Sequence, residues 1–315
     1  MAFGADTTTD EVLDGIDMTG RRVLITGASG GLGEETARAM ASKGALVTIT
    51  ARDMAKGEAA AEKIRQSTGN PNVDVRELEL SVPDSVRAFA AGYLADHDSL
   101  DLLINNAGVM ARPLARTVEG WELQFATNHI GHFLLTNLLI SALKKSAADG
   151  RKPRIVNLSS AAHRFGTVDF DDIHYENREY DKWNAYGQSK TANVLFSVEL
   201  TKRLADAGIT ANALHPGGIQ TDLGRHLTPE DIEALMARVP VNEPAEEPAP
   251  MQMKTIPAGA ATTCWGATAA ELEGKGGLYL DDCQVGDPEA YAVDEAAAAQ
   301  LWAVTEEILG EKFDL

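Results

Sequence analysis

The sequence predicts an α/β fold: a doubly wound, mainly parallel sheet of seven strands with helices on both faces. Three observations predict it. Short Val/Ile/Leu-rich runs alternate with amphipathic stretches at helical spacing. The runs are apolar throughout rather than alternating, as in strands buried on both faces. The first run ends in a glycine-rich turn that opens a helix.

The elements follow in order. Residues 21–26 (RRVLIT) form a strand that stops at Gly27, and residues 31–43 a helix with Leu32, Ala37, Met40 and Ala41 inward and Gly44 as its stop. Residues 45–51 (ALVTITA) are the second strand, and 53–66 a helix with Asp53 as N-cap. The Gly69-Asn70-Pro71 turn leads into a strand at 73–80, a helix at 83–97 and a strand at 101–106 (DLLINN). A long helix is predicted over 117–147, a strand over 154–159, a helix over 184–206 and a strand over 209–215.

After Thr221 the pattern changes. Residues 228–239 carry an N-cap Thr228, Pro229 at the first helical position, and apolar Ile232, Leu235, Met236 and Val239. Residues 242–250 (NEPAEEPAP) read as an exposed loop, 258–271 as a helix, 276–282 as the seventh strand and 294–309 as a closing helix. The chain thus reads as one domain over 1–315, with a leader at 1–20, an inserted cap at 222–256 and a C-terminal extension at 257–315 that completes the sheet.

Composition narrows the function. The chain has 315 residues, 28 Lys+Arg and 47 Asp+Glu, for a formal charge of −19. So acidic a surface repels phosphate backbones and argues against a nucleic-acid partner. No run of about 18 apolar residues occurs and the N-terminus lacks a secretory pattern, so no membrane partner is expected. Cys264 and Cys283 form no CxxC pair, which fits a reducing cytoplasm. No His/Cys/Asp cluster has metal-ligand spacing, so no metal is expected.

The chemistry begins at Thr26-Gly27-Ala28-Ser29-Gly30-Gly31-Leu32-Gly33. Glycines there let backbone approach a pyrophosphate while N–H groups at the helix start face it. The end of the second strand then selects the cofactor. Asp53, twenty residues after Gly33, would suggest NAD by bonding a ribose hydroxyl. The strand ends, however, at the small Ala51, and Arg52 follows. An arginine accepts a 2′-phosphate, so NADP(H) is favoured over NAD(H), with Asp53 as a helix cap. An ordinary solvated role for Arg52 is the competing reading. Farther on, Tyr186 and Lys190 stand four apart on one helix face. A neighbouring ammonium favours the phenolate, which suits a tyrosine for proton transfer. Their helix follows a strand ending Leu158-Ser159-Ser160, where a hydroxyl can polarise a substrate carbonyl.

On these residues the chain resembles the short-chain dehydrogenase/reductase family over about residues 20–225. TGASGGLG matches the family's TGxxxGxG turn, and Asn105-Asn106-Ala107-Gly108 its NNAG motif. Asn128 in TNHIGHF, Ser160, Tyr186 and Lys190 fall on the catalytic tetrad. Pro216-Gly217 with Ile219 and Thr221 matches the segment that holds the nicotinamide carboxamide. The position of the family's NAD-selecting acid is Ala51, and the third-strand acidic pair is Glu79-Leu80, which alters the adenine contact. The stretches INNAGVM, RIVNLSSAAHRFG and YGQSKTANVLF are similar to the retinol-dehydrogenase-like branch.

The resemblance implies a Rossmann-like fold and hydride exchange between NADP(H) and an alcohol or carbonyl of a bulky hydrophobic small molecule. Tyr186 is then the general acid/base, Ser160 binds the substrate oxygen, and Lys190 lowers the tyrosine pKa. Asn128 holds a relay water. It also implies pairing through helices 117–147 and 184–206 into a homodimer or homotetramer, although some members of this branch are monomers. A non-catalytic NADP(H)-binding sensor on the same fold is the alternative, weakened because all four tetrad residues are kept. A sugar-nucleotide epimerase is disfavoured by the glycine spacing. His129 and His132 read as packing or surface groups and His215 as structural. The aromatic stretch 165–183 and cap residues Leu223, Leu227, Ile232, Leu235 and Met236 are candidates to line a substrate cleft.

Overall fold

The computed structural model describes residues 3–238 and 253–315. Among these, eight strands form one sheet: β1 (Arg22–Ile25), β2 (Leu46–Ala51), β3 (Val73–Glu77), β4 (Leu102–Asn105), β5 (Arg154–Leu158), β6 (Thr210–His215), β7 (Tyr279–Asp281) and β8 (Gln284–Val285). Their order is β3-β2-β1-β4-β5-β6-β7-β8, parallel except for β7–β8. The predicted seven become eight because Asp282 (φ 49°) and Cys283 (φ 56°) make a tight left-handed turn and send two residues back along β7. Neither is glycine, so the sequence carries no turn signal there.

The helices are α1 (Thr9–Val12), α2 (Gly31–Ser42), α3 (Met54–Thr68), α4 (Pro83–Asp96), α5 (Leu123–Phe125), α6 (Gly131–Ala148), α7 (Lys182–Arg203), α8 (Pro229–Met236), α9 (Ile256–Thr268) and α10 (Glu295–Leu309). One core joins α1, α2, α3 and α9 to one sheet face, and the other joins α4, α6, α7 and α10 to the opposite face. The leader belongs to the first core: Val12, Leu13 and Met18 are buried. Asp53 caps α3, its carboxylate accepting the Lys56 N–H. In α10, Trp302 packs on Phe133 of α6 and Phe196 of α7, 4.7 and 6.1 Å between ring centroids. The helices expected to pair subunits therefore carry α10 on this face.

The long helix predicted at 117–147 starts later. Gly120 (φ 89°) takes a turn that a helix cannot, and the buried Glu122 carboxylate caps α5 by accepting the N–H groups of Gln124 and Phe125. Residues Ala126–Ile130 then wind as a π turn before α6. The strand predicted to 80 ends at Glu77, placing Glu79 and Leu80 in the loop after it. In the cap, α8 forms with a Thr228/Asp231 capping box. The acidic, proline-rich part of the cap (239–252) lies outside the described residues. Among the described residues, no helix is long and apolar enough to cross a membrane.

Candidate active site

Strand order reverses between β3-β2-β1 and β4-β5-β6, so the loops beyond β1 and β4 part and leave a crevice at the carboxyl edge of the sheet. One wall is the β1–α2 turn. Gly27 has φ 64°, and a Cβ there would lie 2.7 Å from Ala107 Cβ. A Cβ on Gly33 would lie 2.6 Å from Asn106 Nδ2 and 2.7 Å from the Gly27 carbonyl oxygen. Gly30, the N-cap of α2, has open space where a Cβ would stand. The turn is thus as thin as a chain can be, with the first amides of α2, from Gly31, Leu32 and Gly33, at the helix start beside Ser29. This cradle suits an anion.

The β4 loop is fastened to that turn. Asn106 Nδ2 donates to the carbonyls of Thr26 (2.7 Å) and Gly27 (3.1 Å), while the amides of Asn106 and Ala107 donate to Thr26 Oγ1. Gly108 leaves room for the catalytic end of the site: a Cβ there would lie 3.2 Å from Asn128 Oδ1 and 3.6 Å from Lys190 Nζ. Beyond β6, Pro216-Gly217 leads to Ile219, which bridges Lys254, and to Thr221, against which Gly31 packs. The last described residues of the cap's return thus clamp the far wall. At the outer edge, Arg52 is 58% exposed and its Nη1 stands 3.4 Å from Glu79 Oε2. Leu80, by contrast, turns its side chain into the core, and its carbonyl lies where Gly131 would carry a Cβ.

The structure brings Ser160, Tyr186, Lys190 and Asn128 together. Tyr186 is 5% and Lys190 4% exposed. Lys190 Nζ donates to the Leu158 carbonyl (2.9 Å) and stands 5.5 Å from the Tyr186 ring centroid. Burial pushes the Tyr186 phenol up to about 12, opposed by the neighbouring Ser160 side chain. Burial also pushes Lys190 down to about 8. The lysine was expected to lower the tyrosine; burial instead governs both groups, and Ser160 supplies the lowering. At neutral pH Tyr186 is therefore a protonated phenol, beside a lysine that releases its proton more readily than usual. The Asn128 side chain is fully engaged: Oδ1 accepts the Val109 N–H (2.8 Å), and Nδ2 donates to the Val109 carbonyl and Ser189 Oγ (both 2.9 Å). It braces the β4 loop against α7.

Above Tyr186 lies an apolar cluster of Ala111, Ala162 and Trp183 with Met110, Phe165, Leu227 and Leu235. Two of the five predicted cap residues, Leu227 and Leu235, face it, whereas Leu223, Ile232 and Met236 point outward. The aromatic stretch also divides: Phe165 and Trp183 join this cluster, while Phe170 packs elsewhere and Tyr175 meets Tyr180 edge-to-face. Polar contacts the sequence did not reveal dock α8 on α7. Trp183 Nε1 donates to the Asp231 carbonyl (3.2 Å), Lys182 pairs with Asp231, and Arg238 with Asp181 (2.7 Å). Among the described residues, no group of three His, Cys, Asp or Glu side chains could hold a metal.

Comparison with known proteins agrees with this geometry. The family model described as short chain dehydrogenase matches residues 21–232. The chain is 44% identical to human retinol dehydrogenase 12 over 299 residues, 95% of this chain and 89% of that one. It is 42% identical to human retinol dehydrogenase 13 over 301 residues, 92% and 85% of the two chains. Among solved structures, an uncharacterized protein from Mycobacterium paratuberculosis is 35% identical and covers both chains fully, with TM-score 0.74. The Pseudomonas aeruginosa RhlG/NADP active-site complex is 26% identical with TM-score 0.65, covering 84% of this chain and 95% of that one.

Proposed function

The chain belongs to the short chain dehydrogenase family, in its retinol-dehydrogenase-like branch, and from that premise we propose an NADP(H)-dependent oxidoreductase that interconverts a bulky hydrophobic alcohol and its carbonyl. The family assignment makes it a hydride-transfer oxidoreductase with a nicotinamide cofactor. The finer reading rests above all on one observation: a buried Tyr186 beside Ser160 and flanked by Lys190, under an apolar roof.

The cradle of Gly27, Ser29, Gly30, Gly31, Leu32 and Gly33 would hold the pyrophosphate, and Arg52 would meet a 2′-phosphate. The loop Asn106-Ala107-Gly108, with Glu79 and the Leu80 backbone, would line the adenosine side. Pro216, Gly217, Ile219 and Thr221 would line the nicotinamide side. When bound, the cofactor supplies or accepts the hydride. Every other task falls to the chain. In reduction Tyr186 donates its proton to the substrate oxygen, and in oxidation it takes that proton back. Ser160 donates a hydrogen bond to the same oxygen. Lys190 would offer its remaining N–H donors to the cofactor ribose and would stabilise the phenolate as the proton leaves. The Asn128 carbonyl holds the path by which protons return from solvent.

Met110, Phe165, Trp183, Leu227 and Leu235 exclude water and favour an apolar substrate; retinol, named in the relatives, is of this class. The buried thiols Cys264 and Cys283 support a reducing cytoplasmic setting. The test is Tyr186→Phe, assayed against a panel of hydrophobic aldehydes and ketones including retinal. General acid catalysis is worth about 10²- to 10⁴-fold, so turnover should fall by at least 10²-fold while NADPH binding persists. Turnover within tenfold of wild type would overturn the assignment.

A further inference from the structure

The histidine four residues after Asn128, read from sequence as a packing or surface group, holds a more specific place. His132 in α6 is 2% exposed, and its ring bridges two parts of the site. Nδ1 lies 3.0 Å from the Asn128 carbonyl oxygen and Nε2 lies 2.8 Å from Thr26 Oγ1. A carbonyl only accepts, so Nδ1 carries the proton. Burial, assisted by the Lys190 charge, holds the ring neutral, with its pKa pushed down to about 4, so Nε2 is bare and the Thr26 hydroxyl must donate to it. That hydroxyl oxygen in turn accepts the amides of Asn106 (2.9 Å) and Ala107 (3.0 Å). The Thr26 hydroxyl also stands 3.4 Å from the Ile104 carbonyl, which already accepts the Thr26 and Asn106 amides, so the proton goes to the nearer Nε2 and one tautomer and one hydroxyl orientation satisfy the ring. The Asn128 carbonyl belongs to the π turn, a distortion often found at functional sites.

We propose that His132 is a positioning residue that locks the Asn128 carbonyl to the cofactor turn, so that the cradle and the proton-return path are held in register. The inference rests on the function proposed above but reads out separately. Thr26 immediately precedes Gly27, and its oxygen collects the β4 loop; the ring therefore joins three segments that otherwise meet only through their own pairwise bonds.

Two conservative variants divide the two halves of the bridge. H132N keeps a donor for the carbonyl four residues back, as Asn137 does in the same helix by donating to the Phe133 carbonyl (2.9 Å), but it is too short for Thr26. H132Q reaches Thr26 with an acceptor and gives up the Asn128 bond. With the full chain, NADPH affinity is measured by fluorescence titration, and the solvent deuterium isotope effect on kcat by steady-state assay. Thermal midpoints are recorded beside both. H132N should weaken NADPH binding about tenfold, the loss associated with one buried hydrogen bond, with the isotope effect unchanged. H132Q should keep NADPH affinity within threefold, lower kcat about tenfold and raise the isotope effect. Thr26→Val, which attacks the bridge from its other end, should weaken binding as H132N does even if the histidine variants fold poorly. Parallel changes in both variants that merely track their thermal midpoints would overturn the proposal, as would no change in either. Loss of the function reading is recognised independently, by an active Tyr186→Phe enzyme, and leaves the NADPH-binding arm intact.

Discussion

Cofactor choice is the prediction the structure defines most sharply, and it turns on Arg52. The residue follows Ala51, the buried last residue of β2, where Gly57 of α3 packs so closely that a Cβ would lie 2.9 Å from Ala51 Cβ. The strand's last residue is thus small and not acidic. Asp53, the acid that would have argued for NAD, is occupied as the cap of α3. Among the described residues Arg52 has one ion-pair partner, Glu79, at 3.4 Å in a largely exposed setting. Such pairs are worth about 0–1 kcal/mol, so the guanidinium would exchange this carboxylate for a doubly charged phosphate at little cost. A charge-assisted bond to the phosphate contributes about 1.5–3 kcal/mol, or roughly 10- to 150-fold in affinity. Arg52→Ala should therefore raise the Kd for NADPH 10- to 150-fold and leave that for NADH within threefold; Arg52→Asp should go further. Glu79→Gln removes the competing carboxylate and should tighten NADPH binding by up to about fivefold, the upper end for an exposed pair. Fluorescence titration with both nucleotides, repeated at high salt to screen the exposed charges, measures all of this. An unchanged NADPH/NADH ratio in Arg52→Ala would refute the reasoning and put 2′-phosphate recognition elsewhere.

Tight packing and burial lead to two more outcomes. Gly33→Ala drives a Cβ between Asn106 Nδ2, the Gly27 carbonyl and Ala28 Cα, at 2.6, 2.7 and 2.9 Å; overpacking of this kind costs about 1–3 kcal/mol. Thermal denaturation should show that loss together with weaker NADPH binding, whereas Gly30→Ala, with open space at its Cβ, should keep wild-type stability. Acid should destabilise the fold above the carboxylate range. Burial holds His129 at about 3 and His132 and His215 at about 4, against 6.5 when exposed. Depressed values mean stability that is fully present above pH 6.5 and lost as pH falls toward 4. Each ring contributes a slope of about 1.4 kcal/mol per pH unit. Urea denaturation between pH 7 and 4 measures it; a flat profile down to pH 5 would refute burial as the cause.

Much of this protein is legible in its sequence. The first seven strands fall where apolar runs end at glycine or polar punctuation, because a doubly covered parallel sheet needs continuous apolar strands. The glycine turn, the Tyr186–Lys190 pair and the capping role of Asp53 are local patterns, and each sits where its spacing indicated. The departures are local too. Residues 117–122 share the helical periodicity of α5 and α6 beyond them, and only the Gly120 turn and the buried Glu122 cap stop the helix there. The eighth strand hangs on two non-glycine residues in left-handed conformation, which no composition rule selects.

The order of elements and the set of reactive side chains were determined by the sequence alone, since both arise from short-range periodicity and from residue chemistry. The state of those side chains was decided only by the tertiary structure. The protonated Tyr186, the lowered Lys190 and the single tautomer of His132 depend on burial and on partners far along the chain; Thr26 and His132 are 106 residues apart and 2.8 Å from each other. Solvation and hydrogen-bond partnership belong to the packed molecule, so ionisation and the coupling between loops could not be read from spacing alone.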